Sequence, residues 1–119
     1  MNGSHPLLIQ RILTTGPSGL AISSLSVGEL CFGAARSSRP KANLARVHAF
    51  LTEISVLPFE QAAAERFGVV KAFLVSHGKR IGDIDVAIAA TALVLERTVV
   101  TSDADFKRIP ALRYEDWSV

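Results

Sequence analysis

Four acidic residues occupy positions from which a protein interior ordinarily excludes charge. Glu29 sits among Leu25, Val27, Leu30, Cys31 and Phe32, and Asp85 is the only charged residue in the run Ile84 to Leu95. Asp103 and Asp105 follow directly on Val99-Val100-Thr101. Burying an ionised carboxylate without a partner costs several kcal/mol, so a shared cation is the economical reason for such placements. Hard divalent ions such as Mg²⁺ and Mn²⁺ take oxygen ligands, lower the pKa of a bound water and neutralise charge on a transferring phosphate. The pattern therefore predicts that these acids converge within a few ångströms on one ion suited to phosphodiester hydrolysis. Each acid also has a plain structural alternative. Ser26-x-x-Glu29 fits a capping box, Asp83 or Asp85 fits a helix N-cap or first-turn acid, and Asp103 and Asp105 fit turn residues.

Basic residues fall in three groups: Arg36, Arg39 and Lys41; Lys71, Lys79 and Arg80; and Lys107-Arg108. Bordering an acidic pocket, they would steer and hold a nucleic-acid backbone, although a solvated surface accounts for them equally well. His5, His48 and His77 read as ordinary surface residues, and Cys31 as a small core residue. No GxSxG, P-loop or GxGxxG sequence is present, which removes the serine-hydrolase, nucleotide-triphosphatase and dinucleotide readings.

These side chains must be positioned by the elements that the hydrophobic periods define. Leu7, Leu8, Ile9, Ile12 and Leu13 predict a helix over Pro6 to Thr15, with Ser4 as a nearby cap and Gly16-Pro17 as the stop. A strand over Leu20 to Ser24 and a helix over Leu25 to Ala35 follow, then the break Arg36 to Pro40 and a helix over Lys41 to Glu53. Next come a strand over Ile54 to Phe59 and a helix over Glu60 to His77 that turns Ala62, Phe67, Val70, Phe73 and Leu74 inward. After the basic loop Gly78 to Gly82 the pattern predicts a helix over Asp83 to Leu95 and a strand over Thr98 to Thr101. The acidic loop Ser102 to Asp105 and a last strand over Leu112 to Tyr114 complete the order. Strands alternating with helices imply an α/β fold with a mostly parallel sheet, whose ligands bind beyond the carboxyl ends of the strands.

At 119 residues, with 49% hydrophobic and 20% charged residues, the chain has room for one compact domain and the means to fill its core. One cysteine allows no internal disulfide, and no signal-peptide pattern precedes Pro6, so the reducing cytoplasm is the expected compartment. The apolar run Ile84 to Leu95 falls short of the roughly 20 residues that span a bilayer, so no membrane partner is expected. The net charge of +2 permits a polyanionic partner without requiring one.

Several segments, taken in order, resemble a VapC-type PIN-domain toxin. They are Ile22 through Leu30, Gly33-Ala34 through Pro40, Val56 through Phe59 with Ala62-Ala63-Ala64, Gly82-x-x-Asp85-x-x-Ile88-Ala89-Ala90, Val99-Val100-Thr101, and Leu112 through Trp117. The resemblance runs over about residues 5 to 119. It implies a PIN-like three-layer α/β/α domain over 1–119, in which acids gather at one end of a mostly parallel central sheet around Mg²⁺ or Mn²⁺. It also implies an endoribonuclease acting on RNA, paired with a VapB-type antitoxin and assembled as a homodimer. Carried across, Glu29 matches the family's second acid, Asp85 the third and Asp103 the fourth, with Asp105 competing for that place. Thr101 matches the hydroxyl residue that hydrogen-bonds within the cluster, and Arg39, Lys79 and Arg80 are the expected RNA contacts.

The sequence departs from the family at its beginning. The family opens with a strand ending in an Asp-Thr-Asn-like motif whose aspartate is the first metal ligand, whereas here nothing acidic precedes Glu29. The expectation is therefore a sheet lacking its N-terminal strand, with that strand's neighbours left unpaired. A second functional reading follows: a catalytically impaired module that acts only by binding an antitoxin or another toxin chain.

Overall fold

The computed structural model describes residues 13–116. Their five strands are β1 (Leu13–Gly16), β2 (Gly19–Ser23), β3 (Ser55–Leu57), β4 (Thr98–Val100) and β5 (Tyr114–Glu115). They form one sheet in the order β3-β2-β1-β4-β5. β2 is parallel to β3 and β4 to β5, while β1 runs antiparallel to both β2 and β4. Four strands thus point one way, and the central one is reversed.

That reversed strand corrects two expectations. The helix expected over Pro6 to Thr15 is replaced by strand from Leu13 onward, and its earlier part lies outside the described residues. The strands flanking the centre of the sheet are also not left unpaired. Leu13 stands opposite Ile22 on one side and Val100 on the other, and Thr14 opposite Ala21 and Val99. Thr14 and Thr15 are β-branched and favour extended backbone, and Gly16-Pro17-Ser18-Gly19 has the composition of a hairpin turn. Gly19 closes that turn at φ +104°, a conformation open to glycine and strained for other residues. From Leu13 onward, pairing on both edges decides for strand.

Arg97, just ahead of β4, locks the hairpin. Its Nε donates to Thr14 Oγ1 at 2.7 Å, and its terminal nitrogens donate to the carbonyl oxygens of Gly19 at 2.5 Å and Thr14 at 3.5 Å. Thr14 is fully buried, so this bond satisfies a hydroxyl that has no access to water.

Helices cover both faces of the sheet. On one, Ile22 packs with Leu30 and Ala34 of α1 (Ser24–Arg36) and Val47 of α2 (Pro40–Leu51), with Leu13 and Cys31 beside them. On the other, Val99 packs with Val70 and Leu74 of α3 (Gln61–Ser76), Val86, Ile88, Ala89 and Ala92 of α4 (Asp83–Val94), and Phe106. The sequence of α4 is apolar on nearly every side because α4 is buried on nearly every side from Val86 to Ala92. In α3 the inward stripe is Ala63, Val70 and Leu74. Phe67 and Phe73 are half-buried, and Ala62, expected inside, is exposed.

The start of α1 also differs from the capping-box reading. Ser23 is the N-cap, its Oγ accepting from the Leu25 N–H at 3.1 Å. Ser26 lies inside the first turn, fully buried, and its Oγ has no hydrogen-bond partner among the described residues. A buried hydroxyl without a partner carries its desolvation cost uncompensated. Ser26→Ala is therefore expected to stabilise the protein by about 1 kcal/mol, read as a higher urea midpoint with an unchanged slope. A midpoint lowered by the substitution would mean that the hydroxyl has a partner in solution.

Candidate functional site

The carboxyl ends of β2 and β4 lie at the same end of the sheet, since both strands run antiparallel to β1. From the first, the chain enters α1, whose second turn carries Glu29; from the second, it passes through Thr101 into the acidic loop. The N-terminus of α4 brings Asp85, half-buried in the first turn of its helix. Burial, then the negative charges of Glu29, Asp103 and Asp105, push the Asp85 carboxyl up from 3.8 to about 6. Because such influence falls off with distance, the four acids share one electrostatic neighbourhood although they come from three separate segments.

The arrangement is open rather than closed. Among the described residues no three His, Cys, Asp or Glu side chains stand together closely enough to enclose an ion, a looser geometry than convergence within a few ångströms. Like charges at close quarters repel, and the ion pairs among the described residues, Lys71 with Asp83 at 3.0 Å and Arg108 with Asp105 at 3.5 Å, give Asp85, Glu29 and Asp103 no basic partner. The available donors are carboxylate and hydroxyl oxygens, a set that fits a hard divalent cation and not a soft one.

The acidic loop has internal order. Thr101 Oγ1 accepts from the Asp103 N–H at 3.1 Å, and Asp103 Oδ1 accepts from the Asp105 N–H at 2.9 Å. Asp103 thereby caps the 3₁₀ turn Ala104–Arg108, which is the turn-former geometry, while Asp105 is drawn to Arg108. Gly82 holds the N-cap position of α4, so neither Asp83 nor Asp85 caps that helix. Both stand in its first turn, where the helix dipole favours negative charge.

The basic candidates separate. Lys79 and Arg80 lie in the loop between α3 and α4 and line a cleft there. Arg39 is the exposed N-cap of α2, a helix that packs on α1. His48 and His77 are exposed, His77 stacked on Phe73, and His5 and Trp117 lie outside the described residues. Sequence reasoning missed Arg97, which reads as one more surface cation after Glu96, and the buried hydroxyls of Thr14 and Ser26. Only contacts between residues distant in the chain identify them.

The sequence matches the PIN domain family over residues 5–112. It is 34% identical over 116 residues to the tRNA(fMet)-specific endonuclease VapC of Shigella flexneri, covering 97% of this chain and 88% of that protein. It is 35% identical over 114 residues to the Ribonuclease VapC2 of Haemophilus influenzae, covering 95% and 86% respectively. Among solved structures, the fold is similar to DNA-bound VapBC from Salmonella typhimurium, with a TM-score of 0.79 and 39% identity over 82% of this chain and 74% of that one. VapBC2 of Rickettsia felis, bound to a DNA fragment from its promoter, gives a TM-score of 0.78 and 33% identity over the same shares.

Proposed function

The chain belongs to the PIN domain family, and from that premise we propose that it is the toxin of a VapB–VapC type pair, a cytoplasmic endoribonuclease that hydrolyses RNA phosphodiester bonds with the help of Mg²⁺ or Mn²⁺. The observation that carries this reading is the half-buried Asp85 carboxylate lying within the influence of Glu29, Asp103 and Asp105, with no ion pair to a basic side chain among the described residues. Glu29, Asp85 and Asp103 would hold the cation. Asp105 is the weaker candidate for the fourth place because Arg108 already draws on its carboxylate.

A divalent ion held there supplies a water of lowered pKa and neutralises charge on the phosphate. The chain's own residues do the positioning. Thr101 fixes the loop by accepting the Asp103 N–H, and the first turn of α4 carries Asp85. Arg39, Lys79 and Arg80 would hold the RNA backbone. A VapB-type antitoxin and a second copy of the chain are the proposed protein partners, the former supported by the similarity to VapBC complexes.

The experiment is cleavage of a labelled RNA by the purified protein. Cleavage is expected with Mg²⁺ and not with excess EDTA; Asp103→Asn should slow it at least tenfold, and Asp105→Asn by less than threefold, on the order of the loss of a metal-orienting contact. Cleavage indifferent to EDTA would overturn the metal-dependent reading. The alternative is a module that binds its partners without cutting. That reading requires no cleavage at all together with intact binding of the antitoxin.

A further inference from the structure

The loop that joins α3 and α4, together with residues of both helices, lines a cleft of about 670 Å³. Its charged lining residues are Lys71, Lys79, Arg80 and Asp83, three cations against one anion, beside an apolar lining of Leu74, Ile81 and Val86. Lys71 is tied to Asp83, whereas Lys79 and Arg80 have no ion pair among the described residues. The cleft therefore carries excess positive charge with nothing in the described chain to answer it.

Its position gives that charge a use. Asp83 and Val86 both line the cleft, while Asp85 lies two residues from Asp83, roughly 200° further round the helix. Asp85 is also next in sequence to Val86, about 100° away, so the acidic cluster and the basic cleft lie on different sides of the same helical turn. A polyanion approaching four carboxylates is repelled, and a neighbouring cationic cleft offsets that repulsion.

We propose that this cleft between α3 and α4 is a second RNA subsite, binding the phosphate backbone of single-stranded RNA a few nucleotides from the bond presented to Asp85. The proposal rests on the ribonuclease reading above and adds a place for the substrate: the strand crosses the N-terminal turn of α4, its flank held by Lys79 and Arg80. The apolar lining accepts ribose and base faces without reading sequence. Asp83 opposes the bound backbone and occupies Lys71, so it tunes affinity downward.

The test is equilibrium binding of a fluorescein-labelled oligouridylate to the full chain in EDTA, where no metal-dependent cutting intervenes, across a series of NaCl concentrations. Lys79→Ala/Arg80→Ala is expected to weaken binding and to reduce the slope of log K against log[salt] by about 1.4, the loss of two single-strand phosphate contacts. Asp83→Asn is expected to bind roughly twofold to fivefold more tightly, and circular dichroism establishes that each variant is folded. RNA binding whose salt slope is unchanged in the folded double variant would overturn the subsite and leave the ribonuclease reading standing. No RNA binding by the unaltered chain would overturn both. A polyglutamate peptide bound in place of RNA, and lost in the same double variant, would assign the cleft to an acidic protein segment and overturn the proposal.

Discussion

Asp85→Asn is expected to give a protein that melts several degrees higher than the unaltered chain at about pH 7.5 and cuts RNA at least a hundredfold more slowly. Both effects follow from one carboxylate. In the folded state burial and the charges of Glu29, Asp103 and Asp105 raise it to about 6. In the unfolded chain it titrates near its ordinary value, so between about pH 4 and pH 6 the folded state holds more protons than the unfolded state. Stability therefore falls as pH rises through that window and remains lower above it. Asparagine keeps the shape without the charge, and because Asp85 is only half-buried the gain is about 1 kcal/mol rather than the full shift converted to energy. For a chain of this size that corresponds to about 4 °C. Below about pH 4 the two proteins should melt alike. Calorimetry at both pH values and the cleavage assay check the prediction, and undiminished cleavage or a lower melting temperature at neutral pH would contradict it.

The second large effect is expected at Arg97. Arg97→Ala removes the donors that hold the β1–β2 hairpin and leaves the buried Thr14 hydroxyl only its long bond to the Ala21 carbonyl at 3.5 Å, and a destabilisation of about 2–3 kcal/mol is expected in urea unfolding. Arg97→Lys should recover less than half of that, because an ammonium cannot present the planar fork that reaches Thr14 and Gly19 together. The consequence reaches the site. β1 pairs with both β2 and β4, the strands whose carboxyl ends set Glu29 and the Asp103 loop in relation to each other. RNA cleavage by the Ala variant should therefore fall more steeply with temperature than cleavage by the unaltered chain. Unfolding midpoints indistinguishable among the three proteins would mean that β1 is held by pairing alone.

What could be read from the sequence was the local pattern. The helix over Asp83–Val94 and the strand over Thr98–Val100 are legible because a largely apolar run and a β-branched run leave few alternatives. Asp85 stands out for the same reason, as the one charge in an apolar stretch. The reversal of β1 was not legible, because Leu7 through Leu13 carry a helical period while the outcome depends on pairing with Ile22 and Val100, residues 9 and 87 positions further along. The capping residue of α1 was not legible, since Ser23, Ser24 and Ser26 are equivalent as types and the backbone of Ser23 is the one with the extended geometry of a cap. The spacing of the acids was beyond reach too, because it depends on how three segments cross at one end of the sheet.

The central claim is that the acids around Asp85 form a cation site, and the direct measurement is the melting temperature with and without millimolar Mg²⁺ for the unaltered chain and for Asp85→Asn. An ion that binds the folded state alone must raise its melting temperature. The account predicts a clear rise for the unaltered chain, largest near neutral pH, and little or none for the variant. Equal shifts in the two proteins, or no shift in either, would contradict it.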